Sequence, residues 1–174
     1  MKERLEKLYV SVSKEIKETA FAHVSYSELL IPNLSKFSAT ELKEKLSNKA
    51  GKHFIYIIST EHFPYQREEI VKKFDKLEVN TCKINDENNE DKWKASKNGK
   101  TCLYVGKSDD LEKRLKEHLG LLKAKTTYAM HLNEWWKDAD IKITILEYNL
   151  DIKYVKLLEY SIWNDLKPLF GKQA

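Results

Sequence analysis

Apolar residues recur at two different spacings along this chain, and the spacing separates helices from strands. From about Lys2 to Thr19, Leu5, Leu8, Val12 and Ile16 fall three or four residues apart, on one face of a 3.6-residue turn, which predicts a helix. Ser38 or Thr40 opens a second, short helix through Leu46, and Gly51 ends that segment. His53-Phe54-Ile55-Tyr56-Ile57-Ile58 is a compact β-rich run, Thr101 to Val105 is another, and Ile141 to Tyr148 alternates closely enough for a third strand. About forty residues separate the first two strands. They comprise a helix-like part from Gln66 to Leu77 and a polar tract, Asn85 to Lys100, expected to be a mobile loop because it has too little apolar surface to pack. Asp151 to Asp165 reads as a final helix that stops before Pro168, since the residue preceding a proline is pushed out of the helical region. No internal repeat is present.

The 174 residues suit one domain large enough to bury a real core, and a hydrophobic fraction of 41% fits an ordered globule. No apolar run approaches the roughly 20 residues that a membrane span needs. Met1-Lys2-Glu3-Arg4 leads into a charged, amphipathic segment instead of a signal peptide, so a cytoplasmic protein is expected. Cys82 and Cys102 cannot make a disulfide framework, no clustered Cys/His spacing suggests structural zinc, and both read as packing residues. The net charge of +4 hides an asymmetry: residues 92–125 hold ten Lys or Arg against four acids, which leaves the rest slightly acidic. A local basic surface suits a polyanion, with a solvated helix face as the plain alternative.

Within that basic stretch, Tyr104-Val105-Gly106-Lys107-Ser108 reads as a strand, a glycine turn and the start of a helix. Ser108, Asp109, Asp110 and Glu112 supply the cap and the acidic first turn. Arg114 and His118 stand four apart and share a face of that helix, beside Tyr104 and Lys107. In the final helix, Glu159 falls within the seam formed by Val155, Ile162 and Leu166, where a carboxylate is costly unless something cationic satisfies it. An ion pair with an arginine such as Arg114, a hydrogen bond to a tyrosine, and a metal ion all meet that demand. The other candidates have structural readings too: Tyr56 and Tyr104 as strand aromatics, Lys107 as a solvated turn lysine, His118 as a helix-terminal cation. Trp135 and Trp136 read as core or subunit-contact residues ahead of base-stacking platforms, and Lys125, Thr126 and Thr127 as a polar loop ahead of contacts to backbone phosphate.

Taken in order, these residues resemble the GIY-YIG endonucleases. Phe54-Ile55-Tyr56 stands in the first motif with Phe54 for glycine, and Tyr104-Val105-Gly106 in the second. Lys107, Arg114, His118, Glu159 and the closing Leu166-Lys167-Pro168-Leu169-Phe170 follow at matching spacings. The resemblance spans roughly residues 52 to 172. It departs from the family in the 48 positions between Tyr56 and Tyr104, where a short hairpin is usual, and at Gly171, where asparagine is often found. The long insertion is most similar to the elaborations of the restriction endonucleases.

The resemblance implies an α+β fold whose small central sheet is mainly antiparallel, three-stranded and flanked by helices. It implies an N-terminal helical arm over residues 1–51 and a nuclease domain over 52–174, with an insertion at about 59–100. The implied activity is that of a metal-dependent, sequence-specific double-stranded DNA endonuclease of restriction type, with no organic cofactor and no membrane. Cutting both strands requires two sites, so a homodimer or paired monomers is expected. By the same resemblance Glu159 would hold Mg²⁺ or Mn²⁺ and Arg114 would grip the scissile phosphate. Tyr56 would be the preferred general base, with Tyr104 and Lys107 lowering its pKa and orienting the water, although either tyrosine fills that role in similar enzymes, and His118 would bond this network or accept the proton. The insertion and the arm would read bases in the major groove. The alternatives are a noncatalytic nucleic-acid-binding relative and a structure-specific repair or RNA-directed nuclease.

Overall fold

Four strands make one sheet: β1 (Ser25–Ile31), β2 (His53–Thr60), β3 (Thr101–Ser108) and β4 (Ile141–Tyr148). They lie in the order β1-β4-β2-β3, and every neighbouring pair is antiparallel. This computed structural model describes residues 14, 25–85, 100–124 and 126–172. Apart from Lys14, Asn85 and Lys100, the helix expected over Lys2 to Thr19 and the polar tract from Asn85 to Lys100 lie outside the described residues.

The expected α+β architecture is present, with one strand more than the three expected. β1 escapes the sequence pattern because only Leu29 and Ile31 of its seven residues are buried, while its first half, Ser25-Tyr26-Ser27-Glu28, is polar and largely exposed. It is an edge strand, and edges favour polar and charged positions. Register with β4 places Ile31 opposite Ile141 and Leu29 opposite Ile143, so the two apolar residues meet their like, and Glu28 pairs across the strands with Lys142 at 2.6 Å.

Alternation along the strands sends side chains to two cores. Leu29, Ile31, Tyr56, Ile58, Leu103 and Ile143 face the larger one. It is closed by α1 (Ala39–Leu46), α2 (Arg67–Phe74), α3 (Leu111–Leu119) and the short α4 (Leu132–Trp135). Ile55, Val105, Leu146 and Tyr148 face the other side and meet Val155, Leu158 and Trp163 of α5 (Ile152–Leu166). Ile58 pairs with Tyr104 but Ser59 pairs with Cys102, so Leu103 is an extra residue in β3. This bulge lets Leu103 and Tyr104 turn toward the same core, while Cys102 and Val105 serve the opposite one.

Local chemistry fixes the helix ends. Ser38 opens α1 through a capping box with Glu41, and Asp110 opens α3 by accepting the Lys113 N–H at 3.1 Å. Gly120, at φ 76°, closes α3 in the left-handed region that glycine enters freely. After α5 the chain turns back over β3, where Leu169 N–H bonds the Cys102 carbonyl and Phe170 N–H that of Leu103. The middle of the insertion runs alongside: Gly171 N–H bonds the Lys83 carbonyl, and Thr81 bridges to Ala129. Among the described residues, no helix is long and apolar enough to cross a membrane.

Candidate active site

The glycine expected to make a turn lies instead inside β3, directly opposite Tyr56. Its role is clearance. A Cβ at Gly106 would sit 2.6 Å from Tyr56 Oη and 2.7 Å from Tyr104 Cε1, closer than atoms tolerate. The vacated space lets the Tyr56 ring lie parallel to that of Tyr104, with centroids 6.0 Å apart and planes within 7°.

α3 brings His118 against both rings, its centroid 4.1 Å from Tyr104 and 5.7 Å from Tyr56. Its Nε2 lies 3.2 Å from Tyr56 Oη, and its Nδ1 accepts the Met130 N–H at 3.4 Å. With Nδ1 engaged as an acceptor, the single proton of a neutral ring sits on Nε2, which donates to the Tyr56 oxygen. Burial first, then the charges of Arg114 and His131, push the His118 pKa well below 6.5, so the ring stays neutral.

The two phenols differ in exposure. Tyr56 is 1% exposed, whereas Tyr104 is half-buried and lines an open cavity of about 680 Å³. Burial pushes the Tyr56 phenol well above its ordinary 10, Tyr104 raises it further, and Arg114 opposes both. The expectation that Tyr104 and Lys107 lower it is therefore corrected: Tyr104 acts in the opposite sense, and the lowering comes from Arg114. The charge of Lys107 acts instead on Glu159. Burial also raises Tyr104, again against Arg114.

Arg114 reaches the cavity from α3 with its guanidinium anchored on two sides. Nη1 donates to Glu117 Oε2 at 2.7 Å, and Nη2 donates to the Tyr128 carbonyl at 2.6 Å, with a longer contact of 3.5 Å to Tyr104 Oη. Its ion-pair partner is thus Glu117, and Glu159 is not bonded to it. In the sequence Glu117 registers only as one acid within a basic run; the three-residue spacing from Arg114 was the available signal. Thr127, read in the sequence as polar loop or phosphate contact, and Tyr128 gave no sign of a partnership with Glu117 and Arg114.

Glu159 projects from α5 into the same cavity and is 8% exposed. Its seam is Val155, Leu158 and Trp163, with Ile162 half-buried; Leu166, expected there, is 41% exposed. Burial raises the carboxyl pKa, opposed by the charge and the backbone N–H of Lys107. The Oε2 atom is buried and has no hydrogen-bond partner among the described residues. A buried carboxylate oxygen without a partner, on a residue that lines a cavity, is what a cation would satisfy. Among the described residues no group of three or more His, Cys, Asp or Glu could hold a metal ion. Glu159 is the one carboxylate among the described residues that line the cavity, a donor that a hard divalent ion accepts when waters and substrate phosphate fill its other positions.

Gly171 faces the cavity at φ 96°, and a Cβ there would lie 2.9 Å from the Tyr104 ring. Asparagine, usual at this point in the resembled family, would press on that ring, which gives glycine a packing reason. Cys82 also lines the cavity, but burial pushes its thiol up to about 12, so it stays protonated. Neither cysteine forms a disulfide. Trp135 and Trp136 are both core residues.

Residues 92–173 match the model of the GIY-YIG catalytic domain. That domain indicates an endonuclease, a phosphodiester hydrolase that acts on DNA, and nucleases of this kind generally use divalent metal ions. Among curated proteins and among solved structures, none matches the chain. Tyr104, Lys107, Arg114, His118 and Glu159 fall inside the matched residues. Tyr56 precedes them and joins the cluster through the pairing of β2 with β3.

Proposed function

We propose that this chain is a divalent-metal-dependent endonuclease that cuts double-stranded DNA at a specific sequence, as restriction enzymes do. The observation that carries the reading is Glu159, which lines the same cavity as Tyr104 and Arg114 and whose buried Oε2 has no partner among the described residues. Glu159 would hold Mg²⁺ or Mn²⁺, and the bound ion would supply positive charge to the phosphate oxygens and to the departing 3′ oxygen.

The remaining work falls to the chain's own side chains. Arg114 retains guanidinium N–H groups beyond those given to Glu117 and Tyr128, and these grip the nonbridging oxygens of the scissile phosphate. Tyr104 is the phenol that reaches the cavity, so it orients the attacking water and, as the phenolate that Arg114 favours against burial, takes up its proton, a role the family resemblance gave by preference to Tyr56. Lys107 balances the charge of Glu159. Tyr56 and His118 form the buried backing that fixes the Tyr104 ring. A homodimer supplies the second active site for the second strand. The insertion at about 59–100 and the N-terminal arm over residues 1–51 carry base readout, as the parts added to the compact family scaffold.

Incubation of the purified chain with supercoiled plasmid and Mg²⁺ tests this directly. Discrete linear fragments that disappear with a chelator are expected. Nicking confined to branched DNA, or DNA binding without any product, contradicts the proposal.

A further inference from the structure

Glu117 is a buried carboxylate for which the cleavage chemistry has no direct use. It is 4% exposed, and burying a carboxylate is unfavourable unless its oxygens are bonded. One oxygen, Oε2, carries two bonds: it accepts Arg114 Nη1 at 2.7 Å and Thr127 Oγ1 at 2.7 Å. The next residue of the same loop offers its carbonyl to Arg114 Nη2 at 2.6 Å. The guanidinium is planar and rigid, so one anchor on each terminal nitrogen, from helix and loop respectively, fixes both its plane and its rotation. Apart from the long 3.5 Å contact of Nη2 to Tyr104 Oη, the remaining N–H groups are then left for a ligand in the cavity that Arg114, Thr127 and Tyr128 all line.

We infer that Glu117, seated by Thr127, is a positioning residue that locks the Arg114 fork in the orientation from which it meets the phosphate. The phosphate rests on the endonuclease reading above; the locking rests on the hydrogen bonds alone. Arg114 is one of three arginines in the chain, so its side-chain signals are readily assigned.

The test has two arms. In the free protein, side-chain ¹⁵N NMR reads the lock without reference to activity: Arg114 gives separate, slowly exchanging Nη signals, and Glu117→Met, similar in volume but without an acceptor, merges them. Glu117→Gln, which keeps an acceptor oxygen, restores the separation. In cleavage assays Glu117→Met lowers turnover about 100-fold, the cost of a displaced catalytic group. DNA affinity is unchanged, and Glu117→Gln recovers most of the rate. In an Arg114→Ala background Glu117→Met causes no further loss.

Separate Nη signals in folded Glu117→Met, or a further loss in the Arg114→Ala background, overturn the inference. If Glu117→Met does not fold, Thr127→Val, which removes only the hydroxyl seating the carboxylate, is expected to merge the signals, and a retained separation overturns the inference equally. An inactive wild type sinks the endonuclease reading, while the NMR arm still decides the lock.

Discussion

The pocket has two halves that treat hydrogen bonding in opposite ways. In the inner half, Tyr56 and His118 are sealed from solvent, and both ring nitrogens of His118 are engaged, one by Tyr56 and one by the Met130 N–H. In the outer half, Tyr104, Arg114 and Glu159 line an open cavity, and Glu159 Oε2 has no partner among the described residues. Satisfied groups stabilise a fold, and unsatisfied ones placed in a cavity are positioned for a substrate. The difference separates scaffold from chemistry among residues that the sequence presented as equals.

The sharpest way to break this division is to remove one hydroxyl from each half. Tyr104→Phe is expected to lower the cleavage rate by about 10²- to 10⁴-fold, the range for loss of a general base. Tyr56→Phe is expected to cost only about 10- to 100-fold, as for a supporting partner. Single-turnover rates on a defined duplex decide the matter, and a larger loss for Tyr56→Phe would reverse the two roles.

A smaller effect probes the inner half through stability. The His118 pKa is depressed on folding, from an unfolded value near 6.5. Above pH 6.5 the ring is neutral in both states and contributes no pH dependence. Below it, the unfolded chain takes up a proton that the folded chain refuses, so stability falls by at most about 1.4 kcal/mol per pH unit for this group. His131 is lowered by its own burial and adds a contribution of the same sign. Denaturant unfolding between pH 7 and pH 5 should therefore be shallower for His118→Gln than for wild type. Identical slopes would show that His118 is solvated in the folded state.

What was legible in the sequence follows the same division. β2 and β3 were readable as compact β-rich runs and β4 and α5 from the spacing of their apolar positions, and the order of Tyr104, Arg114, His118 and Glu159 carried the family resemblance. β1 was not, since an edge strand with two buried residues offers little periodicity. Gly106 was read as a turn because composition reveals glycine's backbone freedom but not a missing side chain; the clash with Tyr56 exists only once β2 and β3 are paired. Glu117 was invisible for a related reason. Its meaning depends on Thr127 and Tyr128, which only the tertiary fold brings beside it.

Metal binding tests the central claim most directly, because it addresses the orphaned oxygen of Glu159 independently of DNA. Titration with Mn²⁺, followed by electron paramagnetic resonance, should show one ion bound per wild-type chain and none for folded Glu159→Gln. Equal binding by the two proteins would remove Glu159 from the metal site and, with it, the account of the cavity as a place of phosphodiester hydrolysis.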